Sequence, residues 1–373
     1  QISYEWLRGK TPISTNYIQN GRYGLGHFAG PTFLAVSHDG KHAYVTLENS
    51  DAIRVFDRNL TSGILTPSSF VKDGQNSVDG LEGASCVVLS SDGNFAYVTA
   101  KTDNSLSWFS RGTTNGQLTY GGTIYNTDGG VNALYSAQRV ILSPDENFAY
   151  VTSDGDNSVS WYSRNSITGA LVYEGVVSGV LGAFGLTIST DGNYVYVTGS
   201  TDNAIYSYSR NSVTGSLTQK FSTIRDGDHY YSYTVDGLFN PREIKLSPDG
   251  NHAYVAGSSD KSVSWFTRNS ATGILTYGGT LKDGVGGAEG LDGAFGITFS
   301  NDGSYLYVTG NYENSVSVYQ RNSGTGALVF SEVLRDDYGG VDGLNNAQSV
   351  TLSPGGDHIY VVGNGDNAVS TYD

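Results

Sequence analysis

Methionine is missing from all 373 residues, and cysteine occurs once, at Cys86. A lone thiol has no intramolecular partner, so disulfides do not hold this fold. Without Met at position 1, Gln1 is not an initiator, and a processed chain that has lost a secretory signal is expected. No apolar run reaches the roughly 18–20 residues a membrane-spanning helix needs. Nor does any stretch carry a sustained helical period. Positive charge is scarce: 21 Lys and Arg stand against 36 Asp and Glu, a net charge of −15. Such a surface repels phosphate backbones, which argues against nucleic-acid binding and leaves cations, basic partners and neutral ligands such as sugars. The acidic, Lys-poor composition, rich in Gly, Ser, Asn and Tyr, points to a secreted or cell-surface protein.

What the chain has in abundance is one phrase. "DG-x-x-x-YV" or a near copy places tyrosines at Tyr44, Tyr97, Tyr150, Tyr196, Tyr254, Tyr307 and Tyr360, at intervals of 53, 53, 46, 58, 53 and 53 residues. That period suits four strands plus loops. Each copy reads as short runs of Val, Tyr, Phe, Trp and Thr separated by Asp-Gly or Asp-Asn turns, the mark of antiparallel hairpins. A lone four-stranded sheet exposes two apolar faces, and stacking seven of them around an axis buries both. The expectation is an all-β, seven-bladed propeller forming one domain over residues 1–373. The last copy stops after its third strand. "QISYEWLRG" at Gln1–Gly9 resembles a fourth strand and is expected to complete that blade and close the ring.

Residues present in nearly every copy answer a demand that all copies share, which is folding. The Asp-Gly hairpins (Asp39-Gly40 through Asp302-Gly303) supply positive φ and a side-chain acceptor. The Asp-Asn turns cap loop amides, and the third-strand aromatics Trp108, Trp161, Tyr208 and Trp265 pack between blades. Arg58, Arg111, Arg164, Arg210, Arg268 and Arg321 are placed to bond turn carbonyls or hairpin aspartates. The phrases "YVTA", "YVTS", "YVTG" and "LSPDG" resemble those of the YVTN/lactonase-like propellers, across essentially the whole chain. The resemblance implies the propeller fold, and either lactone hydrolysis, as in 6-phosphogluconolactonase and carboxymuconate-lactonising relatives, or a cell-surface role without chemistry.

Function is expected where the copies differ, at the mouth formed by the loops leading into each innermost strand. Those loops end in Thr32-Phe33, Ser85-Cys86, Gln138-Arg139, Phe184-Gly185, Arg242-Glu243, Phe295-Gly296 and Gln348-Ser349. Gln138, Phe184, Phe295 and Gln348 are candidate ligand contacts, together with His229, Tyr230, Tyr231 and Tyr233 in the longest such loop, whose rings suit stacking on a sugar or aromatic ligand. Asp79, Asp236, Glu289 and Asp342 share one aligned position, and there Ca2+ or another divalent cation is the candidate ion.

Two functions follow. One is a non-catalytic extracellular module that binds a small molecule, glycan or protein at the mouth. The other is a lactonase-type hydrolase. The resembled lactonases carry Arg and His in a "PRH"-like phrase at an inner strand. Here Pro241-Arg242-Glu243 stands in its place, which implies Arg242 and Arg139 as the clamp on a carbonyl or carboxylate and Glu243 as the base. One glycosylation sequon, Asn59-Leu60-Thr61, fits secretion.

Overall fold

The runs PTFLAV, HAYVTL, AIRVFDR and LTPSSFVK form four antiparallel strands, Pro31–Val36, His42–Leu47, Ala52–Arg58 and Leu65–Lys72. Their β-branched and aromatic residues suit a pleated sheet buried on both faces. A computed structural model describes residues 17–21, 25–219, 223–230 and 233–373. The same meander recurs in seven sheets, with innermost strands Pro31–Val36, Ala84–Leu89, Ala137–Leu142, Ala183–Ile188, Pro241–Leu246, Ala294–Phe299 and Ala347–Leu352. Numbered as blades 1 to 7 in that order, neighbouring inner strands pack on one another, and the seventh packs on the first. Among the described residues the one helical element is a 3-10 turn at Asp128–Gly130. The protein is an all-β, seven-bladed propeller.

The ring is fastened by the two ends of the chain. Tyr17–Gln19 pairs with the third strand of blade 7, Tyr17 opposite Ser370 and Gln19 opposite Ala368. Ile18 is buried there with Val369 and Tyr360. The outer strand expected at Gln1–Gly9 lies outside the described residues. The places opposite Ala368–Ser370 belong instead to the later segment, whose register turns Ile18 into the core.

Blade is joined to blade by the repeated residues. The Tyr44 hydroxyl donates to the Gly116 carbonyl of the next blade at 2.8 Å and accepts from Arg111 Nε at 2.5 Å. The same pairing links Tyr97 with Arg164, Tyr150 with Arg210, Tyr196 with Arg268 and Tyr254 with Arg321. Arg58 and Tyr360 repeat it across the closure between blades 1 and 7. Each arginine therefore serves an interface. In the Asp-Asn turns the two residues divide the work. Asp156 accepts from Tyr135 N of its own blade, while Asn157, at φ 52°, accepts from Gly182 N of the next. The "YVT" threonine is a third link, since Thr152 Oγ1 donates to the Phe184 carbonyl and Thr198 Oγ1 to the Arg242 carbonyl, both at 2.7 Å. Hydrophobic clusters also straddle neighbours, as where Tyr150 and Trp161 of blade 3 meet Val195 and Val197 of blade 4. Each such large side chain contributes about 1.5–3 kcal/mol on burial.

Candidate functional site in the central channel

In all seven blades the register between inner and second strands slips at the start of the inner strand. A bulge of this kind re-aims the residues it contains. It falls on the pairs in which the copies differ, and it brings side chains from distant blades together across the axis. Arg139 of blade 3 donates from Nε to Glu243 Oε2 of blade 5 at 3.4 Å, both side chains being more than nine-tenths buried. The Arg139 guanidinium lies 4.8 Å from the ring centre of Phe184 and 5.3 Å from that of Phe33. Arg242 lies 4.9 Å from Phe184 and 5.5 Å from Phe295, and the two rings meet edge to face at 5.4 Å. Phe33, Arg139, Phe184, Glu243 and Phe295 come from five blades, so together with Arg242 they plug the channel. Desolvated cation–ring contacts of this kind are worth up to about 2 kcal/mol each.

The two arginines differ in their partners. Arg139 is balanced by Glu243, whereas the Arg242 guanidinium makes no ion pair or hydrogen bond among the described residues, and its Nε is buried without a partner. Burial lowers the Arg242 pKa from its ordinary value, against the opposing pull of Tyr312 and Asp154.

A cavity of about 360 Å³ runs along the inner strands with Arg139 and Glu243 in its wall. Phe33 and Gln348 line one end, His38, Asn301 and Pro354 the other, in the hairpins that follow the inner strands. Phe184, Arg242 and Phe295 are not among its walls. The ionisable side chains that line it are His38, Arg139, Glu243 and Lys245.

Other sequence candidates lie elsewhere. Gln138 is buried and bonded to Ser136 Oγ at 3.2 Å. His229–Tyr230 and Tyr233–Thr234 form a small two-stranded hairpin, where His229 Nδ1 and Thr234 Oγ1 are 2.9 Å apart and exposed. Tyr231 lies outside the described residues. Asp79, Asp236 and Asp342 fall in separate three-carboxylate clusters, with Asp73 and Asp103, with Asp226 and Asp260, and with Asp336 and Asp366. Lys282 Nζ sits 2.7 Å from Asp236, and Arg335 lies 3.0 Å from Glu289, so two of the four blades supply their own cation. Burial, with Asp73 and the nearby acids behind it, pushes Asp103 up to about 6.

A family model described as a lactonase, seven-bladed β-propeller, matches residues 15–130, 126–231 and 288–373. The chain belongs to this lactonase propeller family. Among solved structures, the family propeller is similar to a candidate 6-phosphogluconolactonase of Bacteroides uniformis, with TM-score 0.66 and 20% identity over 82% of this chain and 86% of that one. A periplasmic gluconolactonase of Pseudomonas aeruginosa gives TM-score 0.64 and 19% identity over 82% and 85%. The propeller domain of Cps50 (Swd1) from Myceliophteria thermophila gives TM-score 0.66 at 11% identity over 97% and 99%, which marks these likenesses as likenesses of fold. Comparison with curated proteins finds no match.

For this lactonase-family chain, sequence comparison between blades found the plug residues but passed over Lys245. The signal was present two residues beyond Glu243, where the other inner strands carry Ala35, Val88, Ile141, Thr187, Thr298 and Thr351.

Proposed function

We propose that this lactonase-family propeller works outside the cell as a binding protein whose central channel holds a small, hydroxyl-rich anion of the sugar-acid or lactone class. The observation that carries this reading is a local reversal of charge. The chain is −15 overall, yet its axis gathers Arg139, Arg242 and Lys245 around one carboxylate, Glu243. Partly buried cations without counter-charges are costly, and a bound anion completes them. Gln348, Thr298 and Thr351 supply amide and hydroxyl groups along the same cavity. The gluconolactonase among the structural neighbours agrees with this ligand class, and the acidic, Lys-poor composition supports the extracellular location. Calorimetric titration with gluconate, gluconolactone and glucose tests it. The acid and the lactone are expected to bind, and more weakly as NaCl is raised, while glucose is not. Binding of glucose alone, or of none of the three, would refute the reading.

A second reading is favoured by Glu243. With Arg139 holding the carbonyl oxygen, Glu243 would take a proton from water as it adds to a lactone carbonyl, and return that proton to the ring oxygen as the C–O bond breaks, giving the hydroxy acid. Turnover of gluconolactone that is lost in Glu243→Gln while binding persists would support it. Wild-type decay of the lactone no faster than in buffer would sink it.

A further inference from the structure

Of the three axial cations, we infer that Lys245 anchors the ligand, and that the ligand reaches it from the hairpin face rather than through the lead-in loops. This rests on the channel being an anion site, and it assigns the contact residue and the route.

The plug sets the route. Phe184 and Phe295 touch edge to face, Arg242 stacks on both, and Arg139, over the Phe184 ring, pairs with Glu243, both more than nine-tenths buried. The cavity has Arg139 and Glu243 in its wall but neither of these two rings nor Arg242, and it ends among His38, Asn301 and Pro354 at the hairpin face, where His38 is exposed. A ligand arriving over the lead-in loops meets the Phe184, Phe295 and Arg242 group, whereas one arriving at the hairpins meets the cavity.

Charge selects the residue. Arg139 already has Glu243 at 3.4 Å and two aromatic faces. Arg242 is held in the aromatic layer, outside the cavity wall. Lys245 lines the cavity, is half-buried, and its ammonium makes no ion pair or hydrogen bond among the described residues.

The repeat supplies a control of its own. Six blades fill this position with Ala, Val, Ile or Thr, so folding asks only for a small or β-branched residue there. Lysine is a weak strand former and satisfies no scaffold contact. Its ammonium can donate to a carboxylate, while the Thr298 hydroxyl lines the same wall for an adjoining polyol, and the Thr351 hydroxyl, which donates to the Leu34 carbonyl at 2.9 Å, can still accept there. An aldonate, with its acid on Lys245 and its hydroxyls directed toward Gln348, matches this layout.

The test is gluconate titration of the full chain. Lys245→Thr, which installs the residue of blades 6 and 7, is expected to keep the wild-type melting temperature and lose at least about tenfold in affinity. Lys245→Met, which keeps much of the stem, should lose as much. His38→Trp at the hairpin rim should slow association, and Phe239→Asn on the opposite face should change nothing. Wild-type affinity in both Lys245 variants, with binding lost instead in Arg242→Gln, would overturn this inference and leave the channel reading standing. Failure of gluconate to bind the wild-type protein would remove the channel reading itself.

Discussion

At the scale of single residues, the same position can be met by different chemistry in different blades. The arginine that closes the third strand reaches an imidazole in three interfaces: Arg111 with His42, Arg321 with His252 and Arg58 with His358, at 2.8, 2.9 and 2.7 Å. In three others it lies over an aromatic face, Phe95, Phe148 or Tyr194. Burial, with the arginine charge behind it, holds each imidazole below its ordinary value of 6.5. Protonation therefore favours the unfolded chain. The penalty is absent well above pH 6.5, and it grows as pH falls through that value toward the lower folded pKa. Replacing all three histidines by Phe, as sister blades do, should flatten the fall of melting temperature between roughly pH 7.5 and 5. An unchanged slope would mean that other groups govern acid stability. Asn59 shows the same economy of position. Its carboxamide oxygen accepts from Thr61 N and Ser62 N at 2.9 Å, as Asn165 and Asn269 do in their turns, so the sequon coincides with a scaffold residue.

At the scale of the element, the decisive strand is only three residues long. Tyr17–Gln19 covers the edge of Ala368–Tyr372, which would otherwise offer unpaired backbone groups to another chain. Ile18→Asp places a charge beside Val369 and should cost about 2–4 kcal/mol, read as a lower urea midpoint. Concentration-dependent association by light scattering should accompany it. A monomeric variant with an unchanged midpoint would show that the ring does not depend on this seam. The seam was legible as a need, because the last repeat lacks a fourth strand. Its residues were not, because three paired positions carry little pattern, and register is decided by whether Ile18 reaches the core.

At the scale of the whole molecule, seven near-identical blades make the axis the one place where all of them meet, and there the aligned positions diverge. A ligand held on the axis contacts several blades at once, so binding should stabilise the entire ring. Raising gluconate to about 100 times its dissociation constant should add about 2.7 kcal/mol to unfolding. The gain should shrink with added salt, since the attraction is ionic. A melting temperature unmoved by gluconate at every salt concentration would contradict an axial anion site.

The repeat, its turns and its strand composition determined by themselves that the chain folds as seven hairpin-built sheets, because those signals act between neighbours in sequence. The roles of the repeated Asp, Asn and Arg were equally legible, since a demand common to the blades is written in nearly every copy, whereas the bridging role of the repeated Tyr hydroxyls was not. Which divergent residues meet was settled only by tertiary structure. Arg139 and Glu243 are 104 residues apart, and ring closure alone brings them within reach of each other. The plug that seals one end of the channel and the cavity that leaves Lys245 facing the other likewise arise from side chains of several blades converging on one axis, an arrangement no local pattern encodes.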